Sequence, residues 1–273
     1  MNQSLLDMSR ILFLLLFCFG VGDLHAHDKE DHGASNAREA PCPPGTQPHE
    51  VRAGYCSGAG YDFQVVTFNS VDQRSDLPLV LGLHWSSSMP SHLLKAMGRQ
   101  SGSFRLLLPS GRFPKRGGYS YFVPEFYELS PEQQMQALED EAGRLIVFFD
   151  DVRRKYKCGR QTIVTGVSQG GDLSFLMAVR HPQSIRRAYP IAGRNTVAGD
   201  SGWATAAPVT IYSGTDDPIV RGQQSVAEFN TALAVGARME LMEFANVGHD
   251  LSERMASQLS SDIARELPVT CKN

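Results

Sequence analysis

After the apolar run Thr162-Ile163-Val164 and Thr165 the chain reads Gly166-Val167-Ser168-Gln169-Gly170, and a helix-forming segment follows. A G-x-S-x-G pentapeptide in that setting fits one local geometry, in which a strand turns a tight corner into a helix with the serine at the corner. Side chains at the flanking glycine positions would collide with the neighbouring strand and helix, so those positions must stay bare. The serine hydroxyl is pushed out of the sheet edge. Ser168 is therefore the candidate nucleophile.

The rest of the chain supplies the sheet and helices that such a corner needs. Strands are expected at Tyr61 to Phe68, Pro78 to His84, Phe104 to Leu108, Thr162 to Val164, Arg187 to Ile191, Pro208 to Ser213 and Met239 to Phe244. Several are short apolar runs bounded by Pro, Ser or Gly, the pattern of strands buried on both faces. Helices are expected at Ser91 to Arg99, Gln169 to Arg180, Gln223 to Val235 and Leu251 to Leu267. The longest helix has the clearest signals: Ser130 as N-cap, Pro131 at the first helical position and Gln133 three residues after the cap. Leu138, Ala142, Leu145, Phe149 and Val152 give it one apolar face, and it should run to about Tyr156. Repeated β-α-β units predict an α/β fold: a doubly wound, mostly parallel sheet with helices on both faces. Only sixteen residues separate Ile191 from Pro208, too few for a cap domain, so the site should be open.

The amino terminus reads as a signal peptide over residues 1–26. Arg10 and the amino group provide positive charge, Ile11 to Val21 is apolar, and Leu24-His25-Ala26 offers a cleavage site, with a cut after Gly22 as the alternative. The apolar stretch is too short to span a bilayer, so no stable membrane anchor is expected after cleavage. The polar stretch 27–41 reads as a disordered leader, and residues 42–273 as a single domain. Losing Asp7, Arg10 and Asp23 shifts the formal charge from −3 to about −2, and no basic run suggests a nucleic-acid partner. His27 and His32, with or without His49, are more simply solvated tail than a metal site, so no metal is expected. A periplasmic or secreted location would favour disulfides among the four remaining cysteines, Cys42, Cys56, Cys158 and Cys271. Of the three possible connectivities, Cys42–Cys56 and Cys158–Cys271 are preferred.

A serine hydroxyl needs a base, and the base needs a carboxylate. His249 lies between the last strand and the last helix, at the carboxyl edge of a parallel sheet where such sites collect. Asp216 and Asp217 close the preceding strand; Asp217 is favoured because Pro218 fixes the loop beyond it. The order Ser, Asp, His is that of α/β-hydrolases. For an oxyanion hole, the backbone N–H of Gln169 opens a helix, and the loop after the strand ending at His84 offers Ser86 N–H, with Trp85 as the alternative.

The stretches Gly166 to Gly171, Asp217-Pro218-Ile219-Val220 and Gly248-His249-Asp250-Leu251-Ser252 resemble the carboxylesterase/lysophospholipase family of α/β-hydrolases, which includes acyl-protein thioesterases. The resemblance spans about Tyr61 to Leu267 in element order. It implies Ser168, Asp217 and His249 as a triad and the Gln169 and Ser86 amides as the oxyanion hole. The family usually has His-Gly where this chain has His84-Trp85, which leaves open whether Trp85 lines an acyl pocket or the hole is built differently. Export and the cysteines lie nearer to related polyester depolymerases and feruloyl esterases.

The expected activity is ester hydrolysis through an acyl-enzyme, with no cofactor. The substrate is a small-molecule, lipid-like or polymeric ester. Polyester or feruloyl-type hydrolysis, peptide hydrolysis and a non-catalytic binding role stand as alternatives. The segment Gly111 to Tyr127 is crowded with Arg112, Lys115 and Arg116 and with aromatic residues. Trp85, Tyr119, Tyr121 and Phe122 are the expected substrate wall, with a basic rim able to sit near an anionic group. An ordinary long loop packed on its own aromatics is the alternative.

Overall fold

Alternating buried aliphatic runs and amphipathic helices produce a three-layer α/β structure. The structure, a computed structural model of the chain, describes residues 36–70, 77–156 and 162–267. The first elements are four strands, β1 (Ala37–Glu39), β2 (Gln47–Pro48), β3 (Cys56–Gly58) and β4 (Tyr61–Phe68). Then follow β5 (Leu79–Leu83), helix α1 (Pro90–Met97), β6 (Phe104–Pro109), the hairpin β7 (Phe113–Lys115) and β8 (Gly118–Ser120), and the long helix α2 (Pro131–Lys155). The second half holds β9 (Thr162–Val167), α3 (Gln169–Arg180), β10 (Ile185–Ile191), β11 (Val209–Gly214), α4 (Gly222–Ala234), β12 (Met239–Phe244) and α5 (Glu253–Glu266).

The main sheet runs β12-β11-β10-β9-β5-β6-β4-β3-β2, and β1 also pairs with β4. From β6 through β5 and β9 to β12 every pairing is parallel, while β4 joins β6 antiparallel. Burial explains the composition. Every residue of β5 and β9 is buried, whereas no residue of the edge strand β12 is fully buried. Two apolar clusters fill the two faces of the sheet. One holds α2 and α3 side chains such as Leu138, Phe149, Phe175 and Leu176; the other holds Leu93 and Met97 of α1 with Met255, Leu259 and Ile263 of α5.

The sheet order reverses at β5. From there the chain steps to β6 on one side, then returns to lay β9, β10, β11 and β12 on the other. That switch point opens a crevice at the carboxyl ends of β5 and β9, where ligands of doubly wound sheets bind.

The expected elements agree with the observed ones to within two residues, except that β9 runs three residues further than expected, to Val167. At Ser130 both halves of a capping box form: its hydroxyl accepts from Gln133 N–H, and the Gln133 side chain accepts from Ser130 N–H. Three differences have physical reasons. Ala37–Glu39, inside the stretch read as a leader, is a strand. It pairs through backbone groups along the free edge of β4, which requires no apolar periodicity. Within Gly111 to Tyr127 lies a hairpin whose turn places Arg116 and Gly117 at φ 46° and 81°, the two successive positive values of a type I′ turn. The final helix starts at Glu253, because Ser252 caps it through Met255 N–H.

Cys42 and Cys56 form a disulfide across a separation of 14 residues. Cys158 and Cys271 lie outside the described residues, as do residues 1–26, read above as a signal peptide, and His27 and His32. The disulfide loop carries Arg52, whose guanidinium sits 4.0 Å from the Tyr55 ring and 4.7 Å from the Tyr119 ring of β8. Replacing Cys42 and Cys56 together by serine should cost about 3 kcal/mol of unfolding free energy in urea titrations, from the closed-loop entropy. An unchanged midpoint would show that the loop is held by Arg52 and its partners alone.

Candidate active site

At the corner between β9 and α3, Ser168 has φ 54° and ψ −114°, a left-handed conformation that costs a non-glycine residue on the order of 1–3 kcal/mol. Two backbone bonds hold it. Ser168 N–H donates to Ile191 C=O of β10 at 2.9 Å, and Ser168 C=O accepts from Asp172 N–H at 2.9 Å, starting the helix. The glycines are sterically required. A Cβ on Gly166 would lie 2.3 Å from the Gly170 carbonyl oxygen, and one on Gly170 would lie 2.1 Å from the Leu83 carbonyl oxygen.

The loop after β12 brings His249 to this corner. Its Nε2 lies 2.9 Å from Ser168 Oγ, and its Nδ1 lies 2.8 Å from Asp217 Oδ2. A carboxylate can only accept, so Nδ1 carries the proton and Nε2 is left with a lone pair facing the serine hydroxyl. Asp217 is nearly inaccessible, with its side chain 1% exposed. Its second oxygen accepts from the N–H groups of Ile219 and Val220, each at 2.8 Å, so the carboxylate is satisfied on both sides. Asp216 instead accepts from Thr215 Oγ1 and is exposed. The chain therefore brings together Ser168, His249 and Asp217, and leaves Asp216 outside.

Gln169 is the first residue of α3, so its N–H has no acceptor within the helix and lies at the positive end of the helix dipole. Across the crevice runs the loop His84 to Ser88. Ser87 is at φ 61°, and the buried Ser86 hydroxyl has no hydrogen-bond partner among the described residues. His84 fastens this loop. The fully buried imidazole accepts from Gly111 N–H through Nε2 at 2.8 Å and contacts the Trp85 carbonyl through Nδ1 at 2.7 Å, which places its proton on Nδ1. Burial pushes the His84 pKa down to about 4, keeping the ring neutral.

The expected wall residues divide. Tyr121 and Phe122 are 1% and 2% exposed and present no surface to a ligand. The Tyr121 hydroxyl donates to Pro109 C=O and accepts from His84 N–H, and its ring lies 4.8 Å from the imidazole, so it supports the loop from below. Phe122 stacks on Phe126 at 4.2 Å. Trp85 and Tyr119 are half-buried, Trp85 stacked with His92 of α1 at 6.4 Å. Sequence reasoning passed over Tyr127. This residue is 40% exposed, and its hydroxyl accepts from the Gln169 side chain at 3.3 Å. The Gln169 side-chain oxygen in turn accepts from Ser120 Oγ at 3.1 Å, so the hairpin and Tyr127 are tied to the residue beside Ser168. Its place among the aromatics of one segment gave no separate signal.

Among the described residues no group of three or more His, Cys, Asp or Glu side chains is placed to hold a metal. His49 uses both ring nitrogens, accepting from Val51 and Arg52 N–H and contacting Asp62 at 3.1 Å.

No known family model and no curated protein sequence matches the chain. Solved structures do. Esterase PE8 is similar at a TM-score of 0.62 and 18% identity, over 74% of this chain and 97% of that one. A Bacillus cereus carboxylesterase gives 0.58 and 17%, over 75% and 94%. Arabidopsis thaliana SOBER1 gives 0.54 and 17%, over 69% and 98%. At such identities the likeness establishes the fold: this chain is an α/β-hydrolase in architecture, with no cap domain among the described residues.

A neutral buried His84 makes stability depend on acid. The folded-state value lies below the ordinary 6.5, so its contribution is complete above pH 6.5 and is lost as the pH falls toward about 4. That loss should be on the order of 3 kcal/mol in urea unfolding at pH 7 and pH 4.5. His84→Gln should be less stable at pH 7 yet lose less on acidification. An equal loss in both proteins would show that His84 is not the group responsible.

Proposed function

We propose that this protein is an exported serine hydrolase of carboxylic esters, working through an acyl-enzyme with Ser168, His249 and Asp217 as its triad. The observation that carries the reading is the continuous Ser168–His249–Asp217 hydrogen-bond chain, with bonds of 2.9 and 2.8 Å, at the crevice of an α/β-hydrolase sheet. His249 Nε2 takes the Ser168 proton as Oγ attacks the ester carbonyl, and the cation that forms is stabilised by Asp217. The oxyanion is met by Gln169 N–H and by Ser86 N–H, which His84 holds in place. His249 then protonates the leaving alcohol, and water reverses the sequence to release the acid. Trp85, Tyr119 and Tyr127 form the wall. The seventeen residues between β10 and β11 contain only the short helical turn Ser201–Ala204 with Trp203 buried beneath it, so large esters have access. Export is supported by the amino-terminal signal pattern and by the Cys42–Cys56 bond. No helix among the described residues is long and apolar enough to cross a membrane.

Hydrolysis of p-nitrophenyl esters from acetate to palmitate tests the reading. Ser168→Ala should abolish turnover, Asp217→Asn should lower kcat by about 10³-fold or more, and Asp216→Asn should stay near wild type. Folded wild-type protein that cleaves none of the series would contradict small-ester hydrolysis and move weight to polymeric esters or to a binding role.

A further inference from the structure

Two cations converge on the exposed ring beside the site. Lys115 Nζ, at the end of β7, is 5.3 Å from the Tyr127 ring centroid, and Arg194 Cζ, in the loop after β10, is 5.4 Å from it. Tyr127 is joined through its hydroxyl to Gln169, the neighbour of Ser168. The cations are held differently. Arg194 is anchored along one edge by the buried carboxylate of Asp172, through Nε at 3.2 Å and Nη2 at 2.6 Å, and its own backbone N–H also binds Asp172. Lys115, half-buried, has no carboxylate partner among the described residues. Its neighbour in the turn is another cation, Arg116, and burial together with that charge lowers the Lys115 pKa. A half-buried ammonium with no carboxylate partner among the described residues, over the partly exposed ring of Tyr127, is an arrangement that an anionic ligand relieves.

Resting on the ester-hydrolase reading, we infer that Lys115, Tyr127 and Arg194 form a subsite for an anionic group of the substrate, so that the preferred esters carry a carboxylate. Lys115 supplies the free charge, Tyr127 the apolar platform for the carbon skeleton, and Arg194 a second donor held rigid by Asp172. The carboxylate could belong to the acid or to the alcohol half of the ester, and paired isosteres separate these. For the alcohol half the pair is 4-acetoxybenzoate and 4-acetoxybenzamide; for the acid half it is the mono-4-nitrophenyl ester of adipic acid and its adipamide counterpart.

In at least one pair the anion should be favoured about tenfold in kcat/KM, chiefly through KM, with the advantage shrinking as ionic strength rises. Lys115→Gln should bring that ratio close to one, and Lys115→Arg should keep most of it. A change in folding or in the triad would move both members of a pair together and leave the ratio intact. Equal rates within both pairs, or a ratio that survives Lys115→Gln, would overturn the subsite. Cleavage of none of the four esters would count against ester hydrolysis instead. The subsite is then decided by calorimetric binding of benzoate and benzamide: tighter benzoate binding lost in Lys115→Gln supports it, and equal binding overturns it.

Discussion

The close approach of α3 to the end of β5 is the constraint on which the site depends. With no side chain on Gly170, the helix can start against the Leu83 carbonyl, and Gly166 lets the strand turn beneath that helix. Ser168 is thereby forced to a positive φ, with its backbone tied to β10 and to the first turn of α3. The same contact sets the carboxyl ends of β5 and β9 side by side. The helix-opening amide of Gln169 and the loop from His84 to Ser88 consequently face one another across the crevice.

Around this corner, polar groups are fixed before any ligand arrives. Asp217 has its acceptor sites filled by two backbone amides and His249, which holds the imidazole in one tautomer. His84, forced neutral by burial, joins the segment after β5 to the segment after β6, with Tyr121 packed against both. Asp172 does the same for Arg194. In the proposed mechanism these arrangements lower the reorganisation needed as charge develops on the substrate oxygen and on His249.

Much of this was legible in the sequence, because the features concerned are local or periodic. The pentapeptide after an apolar run, the capping box at Ser130 and the apolar stripe of α2 each specify backbone geometry within a few residues. The chain order of Ser168, Asp217 and His249 follows once the elements alternate. What was not legible depends on contacts between distant segments. The strand Ala37–Glu39 exists only because β4 offers a free edge. Tyr121 and Phe122 look like their exposed neighbours in composition, but they point into the core, whereas Tyr127 points out. Tyr127 lies in the helical turn Phe126–Glu128, which buries Phe126 and leaves Tyr127 on its outer side.

The central claim is that Ser168 is an activated nucleophile, and covalent labelling tests it most directly. Native protein treated with a fluorophosphonate should gain one adduct, located by peptide mass spectrometry on Ser168, and the reaction should slow markedly in His249→Ala. Native, folded protein that stays unlabelled, or an adduct on any other residue, would contradict the account.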